Sequence, residues 1–479
     1  MADRPARSLT RPADRTRTVD APRYTAYLTM QAVADGAYAN LDLPARLRAA
    51  RLGGRDAAFA TELCFGTIRM QGLYDQIITV AADREISTID RPTLDVMRLG
   101  AHQILAMRIP DHAAVNAGVA MARHVVSRGA GGFVNAVLRR ITERSRDAWV
   151  DLVRDQAGDP LAAAAAEHSH PVWVARALRA ALLSHQTSTP EEGLTDLTSC
   201  MRANNVPGPL TLAARGDLVA DAEFTSIGLL PSPVAPTAWT LPSGDPGDLG
   251  IIRSGRSAVQ DAGSQLVVGA LLNAAVSDDC GRWLDLCAGP GGKAGLMAAT
   301  ALDRSAHLVA NDISEHRGRL VAQTLRGPIA AGADVEVRVG DGREVAVAEP
   351  EHYDRVLVDA PCTGLGALRR RPEVRWRRTP SDLVDLGPIQ RELLSAAVLA
   401  TRPGGVIVYA TCSPHIAETT LVVDDVCAAN QRVVVEDVRS LIVRRDGSPH
   451  ANVGGGPMAQ LWPQVHGTDA MFIALLRRL

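Results

Sequence analysis

The sequence has a single lysine, Lys293, although lysine and arginine together number 51. It has no charge-free apolar run near the roughly 18 residues of a membrane span, so none is predicted. The N-terminus lacks the apolar region of a signal peptide. No C-x-x-C pair or histidine cluster is present, which excludes the common zinc sites and predicts no metal.

Cysteine is also scarce, with seven in 479 residues and no dense or paired spacing. This usage predicts reduced thiols and a cytoplasmic location. The formal net charge is only −2, which counts against a large basic surface and leaves room only for local basic clusters. Arginine in place of lysine is typical of a GC-rich genome. A lysine kept under that bias indicates a role that a planar guanidinium does not fill, with chance as the alternative.

The length of the chain is too great for one core and predicts two or three domains. Residues 1–23 hold six arginines and three aspartates and are interpreted as a flexible basic tail. Residues 24–145 show apolar side chains at three- and four-residue spacing, which predicts five to seven helices. Residues 146–255 are interpreted as a small mixed α/β connecting subdomain. From residue 256 to 479, strands alternate with helices, which predicts a parallel, doubly wound α/β sheet.

A glycine-rich turn follows the first predicted strand of this sheet, residues 283–286. Its residues let a backbone approach a ligand closely: Cys287, Ala288, Gly289, Pro290, Gly291, Gly292 and Lys293. Asp312 ends the second strand, where an acid suits ribose hydroxyls, and Asp341 follows the third, where it could accept from an adenine amino group. The turn matches neither G-x-G-x-x-G nor the phosphate loop. Together these features favour S-adenosylmethionine as the cofactor.

Two cysteines follow the next two apolar runs. Cys362 lies in the segment that begins at Asp359, and Cys412 lies between Thr411 and Ser413. Continuous apolar runs are typical of buried parallel strands, whose carboxyl ends meet at one ligand-binding edge. Two thiols beside a cofactor site therefore indicate covalent chemistry in which a thiol also serves a second step.

These motifs together resemble one family. The order LDLCAGPGGK, ANDI, GDGR, DAPCTGLG and YATCS is similar to that of the RsmB/Sun family of RNA (cytosine-5) methyltransferases. The segments VQDAGSQ, LWP and HGTD resemble others of that family, and the likeness covers roughly residues 255 to 479. The segment FVNAVLRR at 133–140 resembles the last helix of a NusB-like RNA-binding domain. The resemblance implies a Rossmann-like, S-adenosylmethionine-dependent domain preceded by an all-α NusB-like domain.

The resemblance also implies roles for the site residues. Cys412 would attack carbon-6 of cytosine, Cys362 would assist the later release, and Asp359 would contact ring nitrogen-3. DNA cytosine methyltransferases use the cysteine of a Pro-Cys motif instead, so the reverse assignment of the two cysteines stays open. The familiar Pro-Glu-Glu after the second cysteine is absent, and Glu418 is the acid available there.

A basic segment directly follows Cys362. We interpret five of its side chains as RNA contacts, with guanidinium groups for phosphates and an aromatic ring for a base: Arg369, Arg370, Arg371, Arg375 and Trp376. The alternative is a solvated basic loop.

The function predicted first is formation of 5-methylcytosine in small-subunit ribosomal RNA, because the front of the chain is NusB-like. The alternatives are the same reaction on transfer RNA and a non-catalytic RNA-binding assembly factor. A small-molecule methyltransferase is disfavoured, since it would need neither the extra domain nor the paired thiols. A monomer is expected.

Overall fold

The computed structural model describes residues 19–479. The chain divides into two compact units, one ending at Gln156 and the other spanning Ala157–Leu479. Residues 1–18 of the predicted basic tail lie outside the described residues, and the last three tail residues already belong to the first helix. Residues 146–155 group with the first unit, whereas residues 157–255 belong to the same unit as the predicted catalytic domain.

The first unit is helical, as its apolar spacing predicts. Its helices are α1 Ala21–Ala34, α2 Ala39–Ala49, α3 Gly54–Arg69, α4 Gln71–Ala82, α5 Arg91–Leu105, α6 Asp111–Val125, α7 Arg128–Thr142 and α8 Arg146–Asp155. α5 shows why the sequence forms them: Asp90 accepts a hydrogen bond from the Thr93 amide, and a proline occupies the first turn. Its apolar side chains, such as Leu94, Met97 and Ala101, are buried in the bundle.

The second unit begins with three helices and a small antiparallel sheet. The helices are α9 Pro160–Glu167, α10 Val172–Ser184 and α11 Gly193–Asn204. The sheet has the order β2-β3-β1-β4, built from β1 Leu210–Ala214, β2 Leu230–Pro231, β3 Ala238–Leu241 and β4 Ser257–Val259. Two short helices lie between its strands along the chain, α12 Asp221–Ser226 and α13 Gly250–Arg253. The predicted mixed character of this part of the chain agrees with these elements.

A large sheet forms the rest of the unit. Its strands are β5 Arg282–Asp285, β6 His307–Asp312, β7 Asp334–Val339, β8 Tyr353–Asp359, β9 Thr401–Thr411, β10 Val433–Glu436, β11 Ala459–Gln460 and β12 Phe472–Arg478. The helices around it are α14 Ala262–Asn273, α15 Gly292–Asp303, α16 Glu315–Ala330, α17 Gly342–Ala348, α18 Val374–Arg377, α19 Ser381–Ala400, α20 Thr420–Ala429 and α21 Pro463–His466.

The strand order of this sheet places a ligand-binding crevice. The order is β10-β12-β9-β8-β5-β6-β7, and β5 to β9 pair in parallel. The chain runs outward from β5 through β6 to β7 and then returns to the other side of β5 with β8. This reversal between β5 and β8 is the switch point at which open α/β sheets bind ligands.

Both faces of the sheet are covered, which explains the continuous apolar runs of its strands. Leu357 of β8 packs in a cluster with α14 and α15, whereas its neighbours Val356 and Val358 pack in a cluster with α19 and α20. A strand that is buried on both faces has apolar side chains on both, so its sequence does not alternate between apolar and polar residues. The predicted doubly wound fold is confirmed, and the last strand of the chain, β12, lies in the sheet, antiparallel between β9 and β10.

The sequence predicts no membrane span, and the structure bears on this point only through the residues that it describes. No helix among residues 19–479 is long and apolar enough to cross a membrane.

Arg375 joins the segment after β8 to the connecting part of the second unit. Its side chain is fully buried and donates hydrogen bonds to the Ser169 carbonyl (3.1 Å), the Asn205 side-chain oxygen (2.7 Å) and the Asn204 carbonyl (3.3 Å). The predicted RNA contact is therefore wrong for Arg375, because the guanidinium has no surface to offer. It serves instead to hold α18 against the loops that follow α9 and α11.

Replacing Arg375 with alanine should destabilise the second unit. Arg375→Ala leaves buried acceptors without donors and opens a cavity, so we expect the free energy of unfolding to fall by about 3 kcal/mol in a urea titration. Arg432→Ala is the control, because that side chain is exposed, and it should change stability by less than about 0.5 kcal/mol. An Arg375→Ala effect as small as that of the control would contradict the structural role.

Candidate active site

The glycine-rich turn after β5 lies close against β6 and α16. The Ala288 amide donates to the Asn311 carbonyl (2.7 Å), and the Gly289 amide donates to Asp312 Oδ2 (3.0 Å). Gly291 has φ = +102°, and a β-carbon there would lie 3.1 Å from Cα of Val321 in α16. Glycine is thus required at this position by both its backbone conformation and the close approach of the helix.

Asp312, predicted to bind ribose hydroxyls, braces the turn. Besides the Gly289 amide, it accepts a hydrogen bond from the Ser314 amide through Oδ1 (2.9 Å). A carboxylate has lone pairs beyond these two bonds, so the ribose contact stays a prediction.

Asp341, predicted to lie near adenine, caps α17. It accepts a hydrogen bond from the Arg343 amide (3.0 Å) and forms an ion pair with the Arg343 side chain, whose hydrogen bond lowers the pKa of Asp341. These contacts are those of a helix cap, and the adenine contact stays a prediction.

Acidic side chains converge beneath the turn. Asp285 is fully buried, and burial together with the nearby carboxylates of Asp359 and Asp312 raises its pKa to about 8, against the opposing effect of Lys293. Neither oxygen of Asp285 accepts a hydrogen bond of good geometry from side chains in the described part of the chain. S-adenosylmethionine carries a sulfonium, an ammonium and ribose hydroxyls, which would add positive charge and hydrogen-bond donors beside these acids. The residues present therefore fit the cofactor.

Lys293 bridges the turn and the end of β8. Its ammonium donates to Asp359 Oδ2 at 2.7 Å, and the side chain is buried. Burial by itself lowers the pKa of Lys293, but the charge and the hydrogen bond of Asp359 outweigh it and leave the pKa raised. The sequence placed Lys293 in the cofactor turn and indicated a role that arginine does not fill, and the structure adds this link across the switch point. A compact ammonium suits a narrow buried contact better than a planar fork does.

The two predicted active-site thiols are neighbours. Cys362 Sγ and Cys412 Sγ lie 3.4 Å apart, beyond the ends of the adjacent strands β8 and β9. The hydrogen bond between the two sulfurs lowers the pKa of Cys412, aided by the positive charges of Lys293 and Arg371, and a thiolate at Cys412 makes Cys362 the donor. The same bond, burial and the negative charge of Glu418 raise the pKa of Cys362. The surroundings thus favour a thiolate at Cys412 and a thiol at Cys362.

A buried carboxylate fixes the loop that carries Cys362. Glu418 accepts hydrogen bonds from the Thr363 amide (2.8 Å), the Thr363 hydroxyl (2.5 Å) and the Gln390 side chain (3.1 Å). The Thr363 hydroxyl also lies 3.1 Å from the Ser413 hydroxyl, next to Cys412. Sequence reasoning noted Glu418 only as an available acid. Its position six residues after the second cysteine is the one signal that the sequence offered.

The basic segment after Cys362 is not a solvated loop. Arg369 is buried and donates to the Gly467 carbonyl (3.1 Å), so the prediction of an RNA contact is wrong for this residue too. Arg370 forms an ion pair with the fully buried Asp469. Arg370, Arg371 and Trp376 are half-buried, and their RNA contacts stay a prediction.

Cys287 in the turn contributes its backbone more than its thiol. Its partly buried side chain packs against the apolar cluster that contains Leu284 and Val358.

Among residues 19–479, no group of three or more histidine, cysteine, aspartate or glutamate side chains is placed to hold a metal ion.

Known families match both parts of the chain. Residues 271–477 match the family described as 16S rRNA methyltransferase RsmB/F, and residues 20–143 match the NusB family. The resemblance seen in the motifs, and the cofactor it implies, are thereby confirmed.

Individual proteins agree with the family matches. The chain is 47% identical over 469 residues to the putative methyltransferase Rv1407 of Mycobacterium tuberculosis, which covers 97% of this chain and 98% of the relative. It is 31% identical over 375 residues to ribosomal RNA small subunit methyltransferase B of Klebsiella pneumoniae, covering 76% and 79%.

A solved structure has the same fold. The crystal structure of PH0851 matches with a TM-score of 0.75 at 17% identity and covers 96% of this chain and 99% of that one. On this evidence, the chain belongs to the RsmB/F family of S-adenosylmethionine-dependent methyltransferases and carries a NusB-family domain ahead of its catalytic domain.

Proposed function

We propose that this methyltransferase forms 5-methylcytosine in RNA, most directly in small-subunit ribosomal RNA, through a covalent Cys412–cytosine adduct. The observation that carries the proposal is the pair of thiols 3.4 Å apart at the edge of the sheet where the glycine turn lies. A methyl transfer to oxygen or nitrogen needs no thiol. Two thiols with oppositely shifted pKa values suit a reaction in which a sulfur must both add and leave.

The chemistry of cytosine explains the need for a thiolate. Carbon-5 of the ring is a poor nucleophile, and addition of the Cys412 thiolate to carbon-6 turns carbon-5 into an enamine-like carbon. S-adenosylmethionine supplies the methyl group. In our account a proton shared between the Asp359 carboxyl group and ring nitrogen-3 moves onto the nitrogen as the thiolate adds and returns to Asp359 on release. Lys293, 2.7 Å from that carboxyl group, places a positive charge beside the electron density that builds on the ring.

Release reverses the addition. The carbon-5 proton leaves to a base and the bond between carbon-6 and sulfur breaks, so that Cys412 departs as a thiolate and the aromatic ring is restored. Cys362 keeps its proton, and the hydrogen bond that it donates to Cys412 stabilises the departing thiolate. The methylation as a whole releases one proton.

Ribosomal RNA is favoured as the substrate for two reasons. The family description names 16S rRNA, and the relative from Klebsiella pneumoniae is named for the small ribosomal subunit. The NusB-family domain adds a second candidate RNA-binding unit. The alternatives to be tested are the same reaction on transfer RNA and a non-catalytic role in assembly.

The first test measures transfer of labelled methyl from S-adenosylmethionine to naked ribosomal RNA, transfer RNA and assembled small subunits. We expect label in 5-methylcytosine of small-subunit RNA, and none with Cys412→Ala. Label confined to transfer RNA would contradict the substrate. Cofactor binding without label in any fraction would support the assembly role instead.

The roles of the two cysteines predict different covalent products. Cys362→Ala should accumulate an RNA–protein adduct that survives denaturing electrophoresis, because the departing thiolate loses its hydrogen-bond donor. Cys412→Ala should form none, and Cys280→Ala, which removes an exposed thiol, should behave as the unmodified protein. An adduct formed by Cys412→Ala through Cys362 would reverse the assignment.

The hydrogen bond between the thiols also predicts a pH effect. The pKa of Cys412 is lowered, so its thiolate is present at a lower pH than in an ordinary cysteine and is lost as the pH falls. Cys362→Ala removes the largest cause of that shift, and the pH profile for alkylation of Cys412 should move to higher pH. Iodoacetamide labelling followed by peptide mass spectrometry measures it. An unchanged profile would show that the thiol pair does not tune Cys412.

A further inference from the structure

Gln260 is a buried polar side chain beside the glycine turn. It lies between β4 and α14, and only 6% of the residue is exposed. Its backbone is fully used, since its amide donates to the Thr211 carbonyl (2.9 Å) and its carbonyl accepts from the Gln265 side chain (3.0 Å). Within residues 19–479, neither atom of its carboxamide has a hydrogen-bond partner. A buried carboxamide without hydrogen-bond partners lowers the stability of the fold, and this points to a ligand that supplies the partners.

The carboxamide lies at the N-terminus of α15. A β-carbon on Gly292, the first residue of this twelve-residue helix, would lie 3.7 Å from the Gln260 side-chain carbonyl carbon and 3.9 Å from Nε2. The capping residue, Gly291, has no side chain to satisfy the first amides of the helix. Free amides at a helix start favour a negatively charged group. Gln260 and α15 therefore face one space that suits an anion.

The position of Gln260 in the sheet indicates which part of the cofactor reaches it. The contacts predicted for ribose and adenine, Asp312 and Asp341, put the adenosine at the ends of β6 and β7. Gln260 is on the opposite side: the next residue, Asp261, accepts from the Asp469 amide (3.1 Å), and Asp469 pairs with Arg370 in the Cys362 segment. The amino-acid end of S-adenosylmethionine extends from the sulfonium, away from the adenosine, towards this side.

We propose that Gln260 binds the amino-acid group of S-adenosylmethionine together with the N-terminus of α15. A carboxamide offers one acceptor and two donors, so Oε1 accepts from the cofactor ammonium and Nε2 donates to its carboxylate. The amides of α15 add donors to the same carboxylate. The base edge of cytosine also presents a donor beside an acceptor, but it is neutral and makes no use of the helix N-terminus.

Ligand truncation tests this assignment on the whole protein without any activity assay. Calorimetry would measure binding of S-adenosylhomocysteine, which keeps the amino-acid group, and of 5′-methylthioadenosine, which lacks it. Gln260→Met should weaken S-adenosylhomocysteine by about tenfold or more and leave 5′-methylthioadenosine within about twofold. Gln260→Glu should weaken S-adenosylhomocysteine at least as much, because its carboxylate would repel that of the ligand.

Thermal stability separates a ligand-binding glutamine from a structural one. The melting temperature of ligand-free Gln260→Met should be unchanged or higher, because the substitution removes buried polar atoms that lack partners. Gln265→Met is the contrast, since Gln265 accepts from the Thr237 hydroxyl (2.7 Å) and donates to two carbonyls, and its loss should lower the melting temperature.

Three results would overturn the proposal. The first is equal weakening of both ligands, and the second is no weakening of either. The third is a selective loss of RNA affinity with S-adenosylhomocysteine unaffected, which would assign Gln260 to the target base. In the second case, a lowered melting temperature of the ligand-free variants would assign Gln260 a structural role.

Discussion

The structure of the site depends on the backbone contacts that join the segments after β8 and β9. The Ala360 amide donates to the Ala410 carbonyl (2.9 Å), and the Gly366 amide donates to the Cys412 carbonyl (2.9 Å). The terminal strand completes the arrangement, because the Ala470 amide donates to the Gly366 carbonyl (2.9 Å). A β-carbon on Gly366 would lie within 2.8 Å of the Cys412 carbonyl oxygen, so only glycine permits this approach. The two thiols meet because these three segments do.

The charges inside the crevice determine the chemistry that the two neighbouring thiols can perform. Asp312 and Asp359 place negative charge at the switch point around the buried Asp285, and Lys293 is the cation beside Asp359. In a buried setting such charges act strongly on one another. The acids suit a cationic cofactor, whereas Lys293 opposes the rise that Asp359 causes in the pKa of Cys412. A single buried lysine thus helps to reconcile a site for a cation with a site for a thiolate.

The sequence predicted the catalytic fold and the position of its site well, for a physical reason. Strands buried on both faces leave continuous apolar runs, and the residues that follow them must lie at one edge, so the turn and both cysteines could be placed without coordinates. The predicted strand 283–286 is Arg282–Asp285 in the structure, and the second strand ends at Asp312 as predicted. The ends of predicted elements differ from the observed ones because their last residues depend on contacts with distant parts of the chain, which a local pattern does not contain.

What the sequence could not show was burial by distant partners. The arginines after Cys362 appear solvated in a linear sequence, yet Arg375 is buried by residues about 170 to 206 positions away. The same holds for Glu418, whose donors Thr363 and Gln390 lie 55 and 28 residues earlier. Gln260 is an ordinary polar residue in the sequence, and only the packing of α14 beside α15 isolates its carboxamide. Such roles arise from tertiary contacts, which carry no local pattern.

The most direct test of this account is the site of attachment of RNA that contains 5-fluorocytosine. Fluorine replaces the carbon-5 proton that a base must remove before the ring is released. The adduct formed by the unaltered protein would therefore persist. Trypsin separates the two cysteines, since Arg369 and Arg391 lie between them, and mass spectrometry would identify the modified peptide. The account predicts a nucleotide on the peptide that contains Cys412. A nucleotide on the peptide that contains Cys362, or methylated product without any adduct, would contradict it.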